Sequence, residues 1–224
     1  MSYKILNTYP GVVVVYKPAG MLSVPARDKN DPRQVLGTIL EDDLQQQIFP
    51  VHRLDYEVSG IMLYALNATS HKILSLAFEH QEISKHYFAL AENHEQEVGL
   101  QEWKSLLLKG KKRTYEASYG KPSLTHATLI KNLQKENHQV SLWNLSPLTG
   151  RSHQLRYEMM KHNHPILGDK LYGSTISYKD QKIALLSYKI SLSHKLTLAP
   201  LYLPPFLELP PNQIDQDFAQ HILE

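Results

Sequence analysis

An unbroken run of β-branched and aromatic residues, Val12-Val13-Val14-Val15-Tyr16, is closed by Lys17-Pro18-Ala19-Gly20. Side chains stiff at χ1 favour extended backbone, and a continuous apolar run suits a core strand. Proline and glycine then stop it with a turn. A second apolar run, Ile61 to Leu66, follows the punctuation of Ser59-Gly60 and reads as another buried strand. The chain is therefore expected to be built on a sheet.

Helices fall between the strands. Asp31-Pro32 looks like an N-cap with proline at the first helical position, opening a helix through Val35, Leu36, Ile39 and Leu40. Asn67-Ala68-Thr69 caps a second helix, whose Ile73, Leu74, Ala77 and Phe78 form one buried face. His86 to Leu90 is a strand. Trp103 to Leu108, Leu124 to Leu133 and Gln139 to Leu145 carry period-two patterns or β-rich composition and read as an antiparallel set. Pro147-Leu148-Thr149-Gly150 breaks the last of these, and a helix follows from Ser152 with Leu155, Met159 and Met160 inward. His162-Asn163-His164-Pro165 ends it, since the residue before proline avoids the helical region. Ile183 to Leu192 gives one more strand. The tail from Leu196, with Pro200, Pro204, Pro205, Pro210 and Pro211, is expected to run extended before a short terminal helix. No internal repeat or dividing linker is visible in the 224 residues.

The absence of cysteine removes disulfides, a thiolate nucleophile and Cys-based zinc sites. No apolar run is long enough for a signal-peptide core or a membrane span, so a soluble, cytoplasmic protein is expected; a monomer is expected as well. A net charge of +2 with twelve histidines leaves room for a local basic surface on a near-neutral whole. The densest basic cluster, Lys109-Gly110-Lys111-Lys112-Arg113, reads equally as a solvated hairpin loop or a phosphate contact.

Chemistry concentrates in His52-Arg53-Leu54-Asp55-Tyr56-Glu57-Val58-Ser59-Gly60. Asp55 lies on the loop that feeds the second buried strand, and loops held by rigid strands are where catalytic side chains gather. Taken alone, the string reads sooner as the end of a turn with His52 and Arg53 solvated. A metal-dependent hydrolase using His52, His153, His162, His164 and Asp169 is a rival, weakened because His162 and His164 sit at a helix end before proline. An RNA-binding module without activity is a second rival.

Five blocks together resolve the choice: Val15 to Pro25, His52-Arg53-Leu54-Asp55 with Ser59-Gly60, Lys85-His86-Tyr87-Phe88-Ala89, Thr149-Gly150-Arg151-Ser152-His153-Gln154-Leu155-Arg156, and His164-Pro165-Ile166-Leu167-Gly168-Asp169. In order and spacing they resemble the RluA family of RNA pseudouridine synthases. The resemblance implies an α+β fold with a long mixed, mainly antiparallel sheet, flanking helices and a central RNA-binding cleft. It implies one catalytic domain over residues 1–224, without the small N-terminal RNA-binding domain of many relatives. The implied reaction breaks the glycosidic bond of a uridine in structured transfer or ribosomal RNA, turns the uracil and rejoins it through C5, with no metal or cofactor.

The resemblance also assigns roles. Asp55 matches the essential acid; a carboxylate can attack or stabilise an electrophilic sugar or uracil. Arg156 matches the guanidinium that keeps that carboxylate ionised, with Arg151 as competitor and phosphate binding at a helix start as its other role. Tyr87 matches the tyrosine that stacks on the uracil, its hydroxyl near the reacting carbon. Arg53 matches the residue that fills the space left by an extruded base, which a planar cation does better than lysine. His52 and His153 join Arg53 and Arg151 as RNA-contact candidates, and Leu185 or Leu186 as the apolar pocket floor. Two positions depart from the family pattern: Val58 stands where Thr is usual, and Ser187-Tyr188 where His-Ala is common.

Overall fold

The computed structural model describes residues 2–92, 99–135, 138–180, 182–193, 200–214, 216, 218 and 219. The chain groups into two compact units, 1–84 with 189–209 and 85–188 with 210–224.

In the first unit β1 (Lys4–Tyr9) and β2 (Val12–Lys17) form an antiparallel hairpin about Pro10-Gly11. Gly11 has φ +73°, and a Cβ there would lie 2.0 Å from Ser70 Oγ, so the turn requires glycine. Next come α1 (Leu36–Leu44), β3 (Phe49–Pro50), β4 (Ser59–Ala65) and α2 (Ala68–Glu79). The two apolar runs become neighbours: β2 pairs antiparallel with β4 from Val12–Ala65 to Lys17–Gly60. Val12 to Val15 and Ile61 to Ala65 are at most 1 % exposed, which explains why neither run alternates. Each Val, Ile, Leu or Met side chain among them contributes roughly 1.5–3 kcal/mol of burial.

The helix expected at Asp31-Pro32 begins instead at Leu36. Asp31 turns its carboxylate onto the Arg33 backbone N–H at 3.0 Å and onto the Arg33 guanidinium. Val35 is extended and bridged to Leu22. Asn67 does cap α2, accepting the Ser70 N–H at 2.8 Å, and Leu74 and Ala77 are buried as the spacing predicts.

β5 (Ile83–Glu92) leads into the second unit, followed by β6 (Leu100–Lys109), β7 (Thr114–Glu116), β8 (Lys121–Lys135), β9 (His138–Pro147), α3 (Gln154–Lys161) and β10 (Leu185–Leu192). Within it the antiparallel order is β5-β9-β8-β6-β7. On β6, Trp103, Ser105 and Leu107 are buried while Lys104 and Leu106 are exposed, the expected alternation. Trp103 and Trp143 meet in the core with ring centroids 5.4 Å apart. The Lys109–Arg113 cluster is the β6–β7 turn. α3 starts at Gln154, because His153 is held left-handed at φ 49°. β10 runs on into the first unit, where β11 (Phe206–Glu208) pairs with its residues Lys189 to Ser191. The tail is thus partly strand, with a 3-10 turn at Pro211–Gln213. The expected terminal helix lies largely outside the described residues. Helices packed with antiparallel ladders make the fold α+β. Among the described residues no helix is long and apolar enough to cross a membrane.

Candidate active site

The loop carrying Asp55 is fastened on both sides of that residue. Ser23 Oγ donates to the Leu54 carbonyl at 2.8 Å and accepts the Leu54 N–H at 3.0 Å. The Tyr56 carbonyl accepts the Gly20 N–H at 2.9 Å, and the Asp55 carbonyl closes a turn with the Val58 N–H at 3.2 Å. Leu54 is buried, Asp55 half-buried and Arg53 exposed, so the backbone faces the core while Arg53 projects outward. Residues 16 to 25 therefore form the bed of the 52–60 loop, a physical reason for the two sequence blocks to occur together.

Lys17 belongs to that bed and is fully buried. Its ammonium donates to the carbonyls of Pro18 at 2.9 Å, Met21 at 2.7 Å and Tyr56 at 3.5 Å. Burial pulls it down to about 7, opposed by the negative charges of Asp55 and Glu57. His52 is tied to the sheet: its Nε2 accepts the Leu63 N–H at 2.9 Å, and its ring lies 4.9 Å from that of Phe78. Val58, the departure from Thr, is 2 % exposed.

The second unit holds Tyr87, Arg151, His153, Arg156, Leu185 and Leu186. Tyr87 is on β5 opposite Leu145 and 7 % exposed. Leu185 and Leu186 open β10 and are buried. Tyr188, the other departure, stacks on Phe88 with centroids 3.8 Å apart.

The turn from Thr149 to Gln154 is built around one carboxamide. Gln154 Oε1 accepts the Thr149 hydroxyl at 2.8 Å and the Arg151 N–H at 3.0 Å. Its Nε2 donates to the Leu124 carbonyl at 3.1 Å and Thr125 Oγ1 at 2.9 Å, using the full capacity of the amide. Arg151 Nε donates to the Pro122 carbonyl at 2.9 Å.

Arg156 is buried in α3 and grips Asp169 in a fork: Nε to Oδ2 at 2.7 Å and Nη2 to Oδ1 at 2.8 Å, with both side chains at most 2 % exposed. The Tyr172 ring lies 5.3 Å from the guanidinium carbon. The Tyr172 hydroxyl accepts the Thr114 N–H at 2.7 Å and meets His153 Nδ1 at 3.2 Å. Sequence reading weighed Asp169 only as a metal ligand and missed this pairing; its one signal was the joint occurrence of the blocks ending at Arg156 and Asp169. The histidines considered for a metal are engaged elsewhere. His162 stacks on Trp103, and His164 is buried with Nδ1 3.3 Å from the Glu92 carbonyl. Among the described residues, no three His, Asp or Glu side chains gather into a metal-holding group.

The profile of a family described as RNA pseudouridylate synthase matches residues 11–162. The dual-specificity RNA pseudouridine synthase RluA of Pasteurella multocida is 37% identical over 166 residues, covering 72% of this chain and 73% of that protein. The tRNA pseudouridine synthase C of Haemophilus ducreyi is 34% identical over 184 residues, covering 77% and 75%. Among solved structures, human RNA pseudouridylate synthase domain containing 1 aligns with a TM-score of 0.74 at 23% identity, over 93% of this chain and 83% of that one. That likeness bears on the fold, and the sequence relatives bear on the family. With two thirds of its length under the family profile, the chain belongs to the RluA-type RNA pseudouridylate synthases, enzymes that isomerise uridine within RNA.

Proposed function

We propose that this protein converts uridine to pseudouridine in a stem-loop of transfer or ribosomal RNA, acting as a cytoplasmic monomer with Asp55 as the essential acid. The observation that carries the reading is the Asp55 loop itself, pinned at Leu54 by Ser23 and at Tyr56 by Gly20 and Lys17. A reacting carboxylate gains most from a backbone that does not move. Tyr87 is the ring on which the uracil stacks, and Arg156 is the active-site cation, fixed in direction by the fork to Asp169. Leu185 or Leu186 supplies the apolar floor. Arg53, exposed on the loop, takes the space left by the extruded base, and Arg151 and His153 meet the RNA backbone. His52, locked onto β4, fixes the base from which Arg53 projects.

The reaction exchanges a bond from C1′ to N1 for one from C1′ to C5, so C5 gives up a proton and N1 gains one. Release of tritium from uridine labelled at C5 therefore reports turnover. Asp55→Asn keeps the shape and removes the charge. It is expected to abolish tritium release from unmodified transfer and ribosomal RNA while leaving RNA affinity within about twofold, since phosphate contacts carry most of the affinity. Turnover near the parent rate would remove Asp55 from the mechanism.

A further inference from the structure

The loop that carries Asp169 returns at both ends to the same end of β5. On its near side residues 165–167 are laced to the strand by backbone. The Glu92 N–H donates to the Pro165 carbonyl at 3.0 Å, and the Leu167 N–H to the Leu90 carbonyl at 2.9 Å. On its far side the fastening is a side chain. Glu92 Oε1 accepts the N–H of Thr175 at 2.6 Å and of Ile176 at 3.0 Å, and Oε2 lies 3.2 Å from the Thr175 hydroxyl. The Ser174 hydroxyl, 2.9 Å from Oε1, also accepts the Gly168 N–H at 3.2 Å. The Ser174 N–H then closes the loop on the Asp169 carbonyl at 3.1 Å.

Glu92 is 9 % exposed, and among the described residues no cation is paired with it. Burial disfavours its charge, but the donors of Ile176, Ser174 and Thr175 outweigh that cost and hold the carboxyl below its usual range. A carboxylate so placed fixes where the 174–176 segment lies, because releasing it would leave a charged acceptor buried and unpaired. The segment is tied in turn to Gly168 and Asp169, so a shift of Glu92 passes to Asp169 and through the fork to the Arg156 guanidinium. Tyr87 stands five residues earlier on the same strand, so β5 sets both the ring and the cation.

We propose that Glu92 is a positioning residue for the reaction: it holds the Asp169 loop from β5 and thereby sets the direction of the Arg156 guanidinium. The inference rests on the reading of Arg156 as the active-site cation aimed by its fork. The reach of the side chain matters here, rather than its charge.

Single-turnover release of tritium from transfer and ribosomal RNA labelled at C5 of uridine tests it. With the full chain in saturating excess the rate constant is insensitive to the fraction folded, so a merely structural lesion leaves it unchanged. Glu92→Asp keeps the charge and withdraws the carboxylate by one methylene. It should lower the rate constant about tenfold, within the roughly hundredfold that a misplacement of about 1 Å can cost. Glu92→Gln should stay within about threefold of the parent, since its carbonyl oxygen meets the same N–H donors and its amide can donate to the Thr175 hydroxyl. Asp169→Asn should slow the reaction at least as much as Glu92→Asp. The double variant should be no slower than Asp169→Asn alone, because both changes act through one group. Ser174→Ala cuts only the tie from Glu92 to Gly168 and serves where Glu92→Asp does not fold. It should be slowed about threefold and have no further effect beside Asp169→Asn. RNA affinity should stay within about twofold throughout, since phosphate contacts carry most of it. Parent-like rate constants in Glu92→Asp or its substitute, beside a slow Asp169→Asn, overturn the role of Glu92 alone. A double variant slowed by the product of the single effects overturns it too, as does a Glu92→Gln slower than Glu92→Asp, which marks an effect of charge. A parent-like Asp169→Asn defeats the reading of Arg156 as aimed by its fork, and the role of Glu92 with it.

Discussion

Tyr87 combines an apolar ring with a hydroxyl, and the two can be tested apart. Removing the hydroxyl leaves the stacking surface, whereas removing the ring also leaves a cavity in a side chain that is 7 % exposed. Tyr87→Phe is therefore expected to bind RNA like the parent and to release tritium about a hundredfold more slowly, the lower end of what a positioned acid or base supplies. Tyr87→Ala should lose turnover and destabilise the fold by roughly 3–5 kcal/mol. Equal, parent-like single-turnover rates for both would return Tyr87 to an ordinary strand aromatic. At this scale the sequence was informative about identity and silent about contact. Asp55, Tyr87 and Arg156 became candidates through the resemblance of their blocks to a known family, and spacing alone singles out none of them. The fork between Arg156 and Asp169 spans 13 positions, and the burial of Lys17 opposes what lysine ordinarily does, so no local pattern announces either.

The elements were legible where burial on one or both faces dictates the pattern. β2, β4, β6 and α2 appear as read, whereas β1 shows no buried residue and β7 has three residues, too little for a period to emerge. α1 was misplaced because Asp31 uses its carboxylate on Arg33, an alternative that a capping residue always has. α3 depends on more than its own spacing. Its Arg156 is held from the loop after Gly168, where φ of +82° and a Cβ that would lie 2.8 Å from that of Tyr178 demand glycine. Asp169→Asn replaces a carboxylate oxygen with an amide facing the buried guanidinium and removes the charge from the fork. That change is expected to destabilise the protein by about 3–5 kcal/mol, read from urea denaturation. A loss below about 1 kcal/mol would show that the pair is not what holds α3 to the loop.

For the molecule as a whole, the pH dependence of stability should carry the mark of Lys17. In the unfolded chain this amine titrates near the ordinary lysine value of 10.5, and in the fold near 7. Between those values the unfolded chain binds one more proton than the fold, so stability rises with pH across the window. Below about 7 both states are charged, and the fold bears the full penalty of the buried ammonium. At about 1.4 kcal/mol per unit, the rise is bounded near roughly 5 kcal/mol. The carbonyls of Pro18, Met21 and Tyr56 favour the charged form and hold the gain below that bound. Tyr64 sets the upper limit. Its hydroxyl is buried on the Ser23 carbonyl at 2.8 Å and its pKa is raised, so it stabilises the fold below about 10 and loses that contribution as pH climbs further. Urea midpoints should therefore increase from pH 7 to between 9 and 10 and then fall, an alkaline displacement from the usual optimum of about 5–8. Lys17→Met cannot titrate, so its midpoints should rise less steeply, keeping only the contribution of Lys85, whose ammonium burial also lowers, even if its overall stability is lower. A parent curve that is flat over the same range, or a Lys17→Met curve with an undiminished slope, would place the Lys17 ammonium in contact with water and remove it from the bed of the Asp55 loop.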